Sequence, residues 1–352
     1  HSQPVCPFPY RVSLAAMEDE DFPLALFQGL CTLALLATAA LALLCWRWRR
    51  RRLWLGAAGG AAALSMAGLA GLLILPAYPT SYIQPGVRYG AESIAHGGPI
   101  YAANCALCHG PDGYGDGPAA ASLPVRPANL TAGHLLHHAP GDLVWWISQG
   151  IAGTPMPGFA EQLSPDQRWD VLNFLRARAD ADRARALTAS IEPWRPLVAP
   201  DFTFEVPGLG QGTLKAQRGR NAILLVLCRL PAAAGRLEAL AEVVYDLEHA
   251  GIQPLLVPVD PHADRSAFPA ELPVVGDGAA AIAAAYGLFR ARPGDGSLPD
   301  DLEFLIDAQG FLRARWSPEI EPGWRDPLAL LSQAALLAAE PGHAAAAEGH
   351  VH

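Results

Sequence analysis

Two stretches near the start of the chain carry no charged residue. The first runs from Phe22 to Trp46 and the second from Leu53 to about Tyr78, where Pro76 and Pro79 close it. Each is long enough to cross a hydrocarbon core of about 30 Å as a helix. Arg47, Arg49, Arg50, Arg51 and Arg52 stand between them, as in a cytoplasmic loop. The pattern predicts a transmembrane hairpin, with the arm 1–21 and everything after Tyr78 on the outer side. Gly56 and Gly60 of the second span form one GxxxG, a spacing that allows close helix packing in lipid. Cys31 and Cys45 read as small apolar residues of the first span.

Beyond Tyr78 the periodicity becomes that of soluble domains. Helices are expected over Ser93–Asn104, Asp142–Gln149 and Pro165–Arg178, the last carrying Trp169, Leu172, Phe174 and Leu175 on one face. An Ala/Arg-rich helix ends near Ser190, and Pro193-Trp-Arg-Pro196 reads as a linker. Strands follow at Phe202–Val206, Asn221–Cys228 and Ile252–Asp260, the last two continuous apolar runs of the buried parallel kind. Ala232–Ala250 and Ala279–Tyr286 read as helices. Leu302–Trp316 reads as a hairpin turning at Asp307-Ala-Gln-Gly310, and a helix closes the domain over about Leu328–Glu340. Strand, helix, strand, helix, hairpin and helix make an α/β sandwich of thioredoxin type.

Composition agrees with a membrane part joined to soluble parts. Of 352 residues, 51% are apolar and 17% charged, and mean hydropathy is +0.18. A net charge of −9 argues against nucleic acid as a partner. Setting aside the five loop arginines makes the remainder more acidic still, so a basic docking partner is favoured. His1 is not a start methionine, which points to a processed chain or a fragment.

The chemistry is announced by Cys105-Ala-Leu-Cys108-His109. Two thiols one helical turn apart can form thioethers with the two vinyl groups of a haem, and the adjoining imidazole then faces the iron. Zinc would need a second ligand pair, and no second CxxC exists. The surrounding Tyr101-Ala-Ala-Asn-Cys-Ala-Leu-Cys-His-Gly110 and Thr154-Pro-Met-Pro-Gly-Phe159 resemble a class I cytochrome c domain. That resemblance implies an all-α domain within 88–190 and one covalent haem c. It also implies His109 as proximal and Met156 as distal ligand of the iron. His134, His137 and His138 are the rival distal ligands. A thioether ligand favours reduced iron and raises its potential, which suits an electron carrier rather than an enzyme with its own substrate site.

In the last domain, 200–340, Val257-Pro-Val-Asp-Pro261, Leu272-Pro-Val-Val-Gly-Asp277, Ala285-Tyr-Gly287 and Phe304-Leu-Ile-Asp-Ala-Gln-Gly310 resemble the SCO and peroxiredoxin branch of the thioredoxin superfamily. SCO-type chaperones hold copper with a CxxxC after the first central strand and a histidine before the hairpin. Here Arg229 and Ala233 align with the cysteines, Cys228 lies one residue away, and Pro299-Asp-Asp301 takes the place of the histidine. The resemblance therefore implies a degenerate domain used mainly for docking. Cys228 is kept as a secondary redox or copper candidate. His343, His350 and His352, in the tail 341–352, are kept as weak metal ligands.

The approach Tyr78-Pro-Thr-Ser-Tyr82 through Ser93-Ile-Ala95, behind two spans, resembles the cytochrome module fused to CopD-like copper-resistance membrane proteins. Only a final pair of spans is present, so copper transport is not carried over. The expected molecule is multidomain: a two-helix transmembrane hairpin, an all-α cytochrome c domain and an α/β thioredoxin-like domain. It would sit in the lipid bilayer of a bacterial inner membrane with its soluble domains in the periplasm. It would carry electrons between redox partner proteins, such as a terminal oxidase or another respiratory complex, in a respiratory or copper-linked chain. The alternatives are an SCO-like copper-handling or oxidase-assembly factor with an accessory haem, and an accessory structural subunit of a respiratory complex.

Overall fold

The computed structural model describes residues 83–132, 138–191, 197–208, 210–290, 301–318 and 323–340, together with 32, 59–60, 62–66 and 80. Residues up to Gln84 group with Ala139–Asp142, and the rest of the chain forms a second compact unit. In the first unit the hydroxyl of Thr80 donates to the Asp142 carboxylate, and the Ile83 N–H donates to the Thr80 carbonyl at 3.0 Å. The two expected spans lie almost wholly outside the described residues, apart from helical Thr32, Gly59–Gly60 and Ala62–Met66. Among the described residues no helix is long and apolar enough to cross a membrane.

The second unit begins with four helices: α1 (Ala91–Asn104), the one-turn α2 (Ala106–His109), α3 (Pro140–Gln149) and α4 (Pro165–Arg185). Ser164 starts α4 with a reciprocal capping box. Its hydroxyl accepts from the Gln167 N–H while the Gln167 side chain accepts from its own N–H, and Pro165 occupies the first turn. The helix does not stop at Arg178. It runs unbroken to Arg185 because the Ala/Arg-rich stretch has high helix propensity and a place to pack. Ala177, Ala181 and Ala184 are fully buried.

Helices α1 and α4 cross at Gly97. A Cβ there would stand 2.6 Å from the carbonyl carbon of Asp170 and 2.8 Å from the Cβ of Phe174, so only hydrogen fits. One turn on, the Tyr101 and Phe174 rings pack with centroids 5.2 Å apart. One turn before, buried polar groups lock the crossing. Ser93 donates to Asp170 at 2.6 Å, and the Asn173 amide donates to Ser93 Oγ at 2.9 Å and to the Arg88 carbonyl at 3.0 Å.

The chain then builds a five-stranded sheet. Its strands are β1 (Leu197–Val198), β4 (Ala222–Cys228), β5 (Ile252–Pro258), β6 (Asp301–Ile306) and β7 (Phe311–Trp316), in the order β1-β7-β6-β4-β5. A separate hairpin pairs β2 (Thr203–Val206) with β3 (Gly210–Thr213). Only β4 and β5 run parallel. The remaining helices are the short α5 (Leu214–Gln217), α6 (Ala234–Glu242), α7 (Val244–His249), α8 (Ala279–Tyr286) and α9 (Leu328–Ala339). A central parallel pair extended by an antiparallel hairpin, with helices on both faces, is the thioredoxin-like architecture that the pattern predicts.

The single helix expected over Ala232–Ala250 is broken at Val243 (φ −113°, ψ 9°), where adjacent Val243 and Val244 disfavour the helical rotamers. Leu224, Val226 and Cys228 face a core made with Leu237, Leu240, Leu247 and Leu330 from α6, α7 and α9 and with Trp324 from the turn before α9. The alternate residues Ile223, Leu225 and Leu227 face the other way. There Tyr286 of α8 packs on Phe304 at 5.4 Å and on Phe202 at 5.8 Å.

The linker expected at Pro193–Pro196 lies outside the described residues, but the chain on either side of it is fastened. The Asp201 carbonyl accepts from Ala91 N at 2.7 Å, capping α1 from the neighbouring domain. Thr188 O accepts from Arg315 N at 2.9 Å, and Ala189 O accepts from the Trp324 indole at 2.7 Å. Helix α8 also packs against α1. The cytochrome-like helices and the sheet domain therefore share one seam rather than hanging from a tether.

Gly97→Ala is expected to destabilise the protein by about 1–3 kcal/mol, because backbone rather than a flexible side chain must move. Thermal unfolding followed by far-ultraviolet circular dichroism measures it, and an unchanged midpoint would contradict the close crossing.

Candidate functional site: the attachment turn and the methionine loop

Helix α1 ends at Cys105, whose backbone (φ −116°, ψ −35°) bends the chain into α2. Cys108 N and His109 N both donate to the Cys105 carbonyl, at 3.1 and 2.9 Å, so the pentapeptide closes as one tight turn. Gly110 ends it at φ +79°, a conformation open to glycine. The buried Tyr101 hydroxyl donates to the Gly110 carbonyl at 2.6 Å and ties the turn to α1. The following loop folds back, with Gly115 N donating to His109 O at 2.9 Å and Gly117 N to Cys108 O at 3.1 Å. An ion pair between Arg178 of α4 and Asp112 fastens this loop.

His109 is oriented by a backbone group. Its Nδ1 lies 3.0 Å from the Ala128 carbonyl, which selects the tautomer with hydrogen on Nδ1 and leaves the Nε2 lone pair free for a metal. Burial lowers its pKa, against the opposing hydrogen bond to Ala128, and so favours the neutral ring that a ligand must have. The sulfurs of Cys105 and Cys108 are unbridged. Burial, aided by the charge of Cys108, pushes the Cys105 thiol up to about 11. A redox-active dithiol needs the opposite shift.

Met156 is half-buried in the loop after α3. It lies away from the attachment turn in sequence, in an open cleft of about 490 Å³ that it shares with Trp145, Trp146, Gln149, Ile151 and Thr154. Large apolar side chains stand exposed in this domain, among them Leu107 at 63% and Trp145 at 46%. Of the rival ligands, His138 is exposed and set edge-on to Trp146 at 4.9 Å. His134 and His137 lie outside the described residues. Two thiols and one oriented imidazole on a single turn fit haem c, with Cys105 and Cys108 the residues that would form the thioethers and His109 the one that would hold the iron, while Met156 is the iron ligand that the resemblance implies. The bound group would supply a one-electron iron couple, and the protein's part is to hold and shield it.

Cys228 presents a different picture. It is 1% exposed, inside the core, with its thiol 3.8 Å from the Val257 carbonyl. Burial, then the charges of Asp301 and Glu303, push that thiol up to about 12. Opposite it across the β4–β6 ladder stands Asp301, 3% exposed and with neither carboxylate oxygen hydrogen-bonded. Two residues on, buried Glu303 forms a two-pronged pair with Arg236, at 2.6 and 2.8 Å. Arg236 also donates to Trp324 O at 2.6 Å and lies over the Trp316 ring at 4.8 Å. Burial, with Glu303 adding to it, raises Asp301 to about 8. Ala233, aligned with a copper-chaperone cysteine, is a buried core residue. No group of three His, Cys, Asp or Glu side chains among the described residues can hold a metal ion. The tail residues His343, His350 and His352 lie outside the described residues.

Sequence reasoning noted Asp301 only as standing where a histidine would precede the hairpin, and it missed Glu303. Their signal was available as two acids at alternate positions of an otherwise apolar strand. It also missed the Ala128 carbonyl, which no side-chain pattern marks.

Fold and donor set together define a haem-binding cytochrome c domain joined to a thioredoxin-like domain. Residues 94–179 match the family model for cytochrome c, a family whose members carry haem c. Among solved structures, the chain is similar to yeast Sco1 with copper bound (15% identity, 43% of this chain and 98% of that one, TM-score 0.33). It is also similar to peroxiredoxin Q of Xanthomonas campestris (18% identity, 38% and 91%, TM-score 0.31). A third similarity is to a reducing HAO-like protein complex of Kuenenia stuttgartiensis (28% identity, 34% and 59%, TM-score 0.25). No curated protein matches the chain at a significant level.

Asp301 gives a pH prediction. An unfolded chain releases this proton near pH 4, whereas the folded protein holds it to about pH 8. Stability contributed below pH 4 is thus lost as pH rises through that window. Asp301→Asn has no proton to lose, so its thermal midpoint should gain on the wild type progressively from about pH 4 to 8. Parallel midpoint-against-pH curves would refute the buried carboxyl. Cys228 should also resist alkylation by iodoacetamide in the native protein and react only after unfolding.

Proposed function

We propose that this chain is a membrane-anchored periplasmic monohaem cytochrome c that carries electrons in a respiratory or copper-linked chain. The thioredoxin-like domain serves it mainly as a docking and bracing body. The observation that carries the reading is the attachment turn, where two unbridged thiols and an imidazole oriented by the Ala128 carbonyl occupy one turn of chain. With His109 and Met156 as its two ligands the haem iron would have no position open for a substrate, which favours an electron carrier over an enzyme with its own substrate site. The uncharged segments around Arg47–Arg52 support the membrane anchor and the periplasmic side. The redox partners would be proteins of basic surface, given a net charge of −9. A copper-handling role finds less support, because Cys228 is a core residue whose thiol stays protonated.

Covalent haem should survive denaturing electrophoresis, visible as haem-dependent peroxidase staining of the full-length band. It should vanish in the Cys105→Ala, Cys108→Ala double variant. Met156→Ala should retain covalent haem yet lower its reduction potential, since the ligand that favours reduced iron is gone. An unchanged potential would remove Met156 from the iron. Electron transfer to a basic acceptor protein should slow steeply with added salt. Insensitivity to salt would exclude electrostatic docking.

A further inference from the structure

The loop that carries Met156 is closed by backbone hydrogen bonds and by one side chain, that of Thr154. Ile151 to Thr154 forms a turn in which the Thr154 N–H donates to the Ile151 carbonyl at 3.1 Å. The Thr154 hydroxyl donates to that same carbonyl at 2.8 Å and accepts the Met156 N–H at 3.3 Å. The Ile151 N–H in turn donates to the Met156 carbonyl at 3.3 Å. Ile151, Thr154 and Met156 thus form a small hydrogen-bonded ring, and Pro155 between the last two fixes its own φ. Residues 151–155 are all exposed, so little packing is available to hold them. Among side chains, one that both donates and accepts is needed to link the Ile151 carbonyl to the Met156 N–H, and the threonine hydroxyl does so.

We propose that Thr154 is the positioning residue for the Met156 thioether, holding the loop in the shape that presents sulfur to the haem iron. The inference rests on the reading of Met156 as distal ligand. Valine at 154 keeps the branched shape and the backbone turn while removing both side-chain hydrogen bonds, whereas serine keeps the hydroxyl.

The test uses the haem-loaded full-length protein, its Thr154→Val and Thr154→Ser variants, and free imidazole as a competitor for the distal position of the oxidised iron. Thr154→Val should bind imidazole about tenfold more tightly, equivalent to ~1.4 kcal/mol. It should also weaken the Met-to-iron charge-transfer band of the oxidised state and lower the reduction potential. Thr154→Ser should restore all three. A merely structural role would lower the unfolding midpoint and leave these three readouts where they were, and that result overturns the proposal. A wild-type band with Thr154→Val matching wild type in all three overturns it too, while Met156 stands. Absence of the band from the wild type overturns the ligand reading, and this inference with it.

Discussion

Helix α4 belongs to both halves of the described structure, and its freedom to do so rests on Gly97. Because that position carries no side chain, α1 and α4 touch backbone to backbone there. The contact sets where α1 ends, and therefore where the attachment turn begins. The same approach buries Ser93, Asp170 and Asn173, which is tolerated because each finds a partner across the crossing. From its far end α4 supplies the surface of buried alanines, and the chain just beyond it supplies the carbonyls of Thr188 and Ala189 to which the sheet domain is fastened. A side chain at 97 would push apart the helix pair that orients the donors and, with it, the seam.

The two candidate sites differ in what surrounds their sulfur. At the attachment turn the thiols sit at the edge of a helical turn beside exposed apolar side chains, and the imidazole is fixed by a backbone carbonyl. Outer-sphere electron transfer asks no more of a protein than such holding, shielding and nearness, so no acid–base constellation is required. In the sheet domain Cys228 is enclosed by core residues, and its nearest ionisable neighbours are acids, which keep the thiol protonated. Arg236 answers Glu303 with two short hydrogen bonds, whereas among the described residues the Asp301 carboxylate accepts none. The end of β6 beside Cys228 is thus a buried carboxyl group.

Much of this was legible beforehand. The spacing of the pentapeptide is the one that thioether attachment of haem requires, and the apolar runs Asn221–Cys228 and Ile252–Asp260, read as buried parallel strands, hold β4 and β5. Helix α8 fell on Ala279–Tyr286 as expected. The misjudged boundaries have physical causes. The stretch after Arg178 is charged and looks solvated, yet its alanines are buried by a domain that follows later in the chain. Val243 interrupts a helix that hydrophobic spacing alone would continue.

The sequence by itself determined which atoms can bind haem, the alternation that makes a thioredoxin-like sheet, and the absence of a second cysteine beside Cys228. These depend on residue identity and on spacings of a few positions, where chain connectivity enforces proximity. Only the tertiary structure decided that the Ala128 carbonyl orients His109, that Asp301 faces Cys228, and that Asp201 caps α1 across the seam. Each of these pairs groups distant in the chain, and two of the three use main-chain atoms that every residue possesses. No pattern of side chains marks such a contact before the backbone has folded to make it.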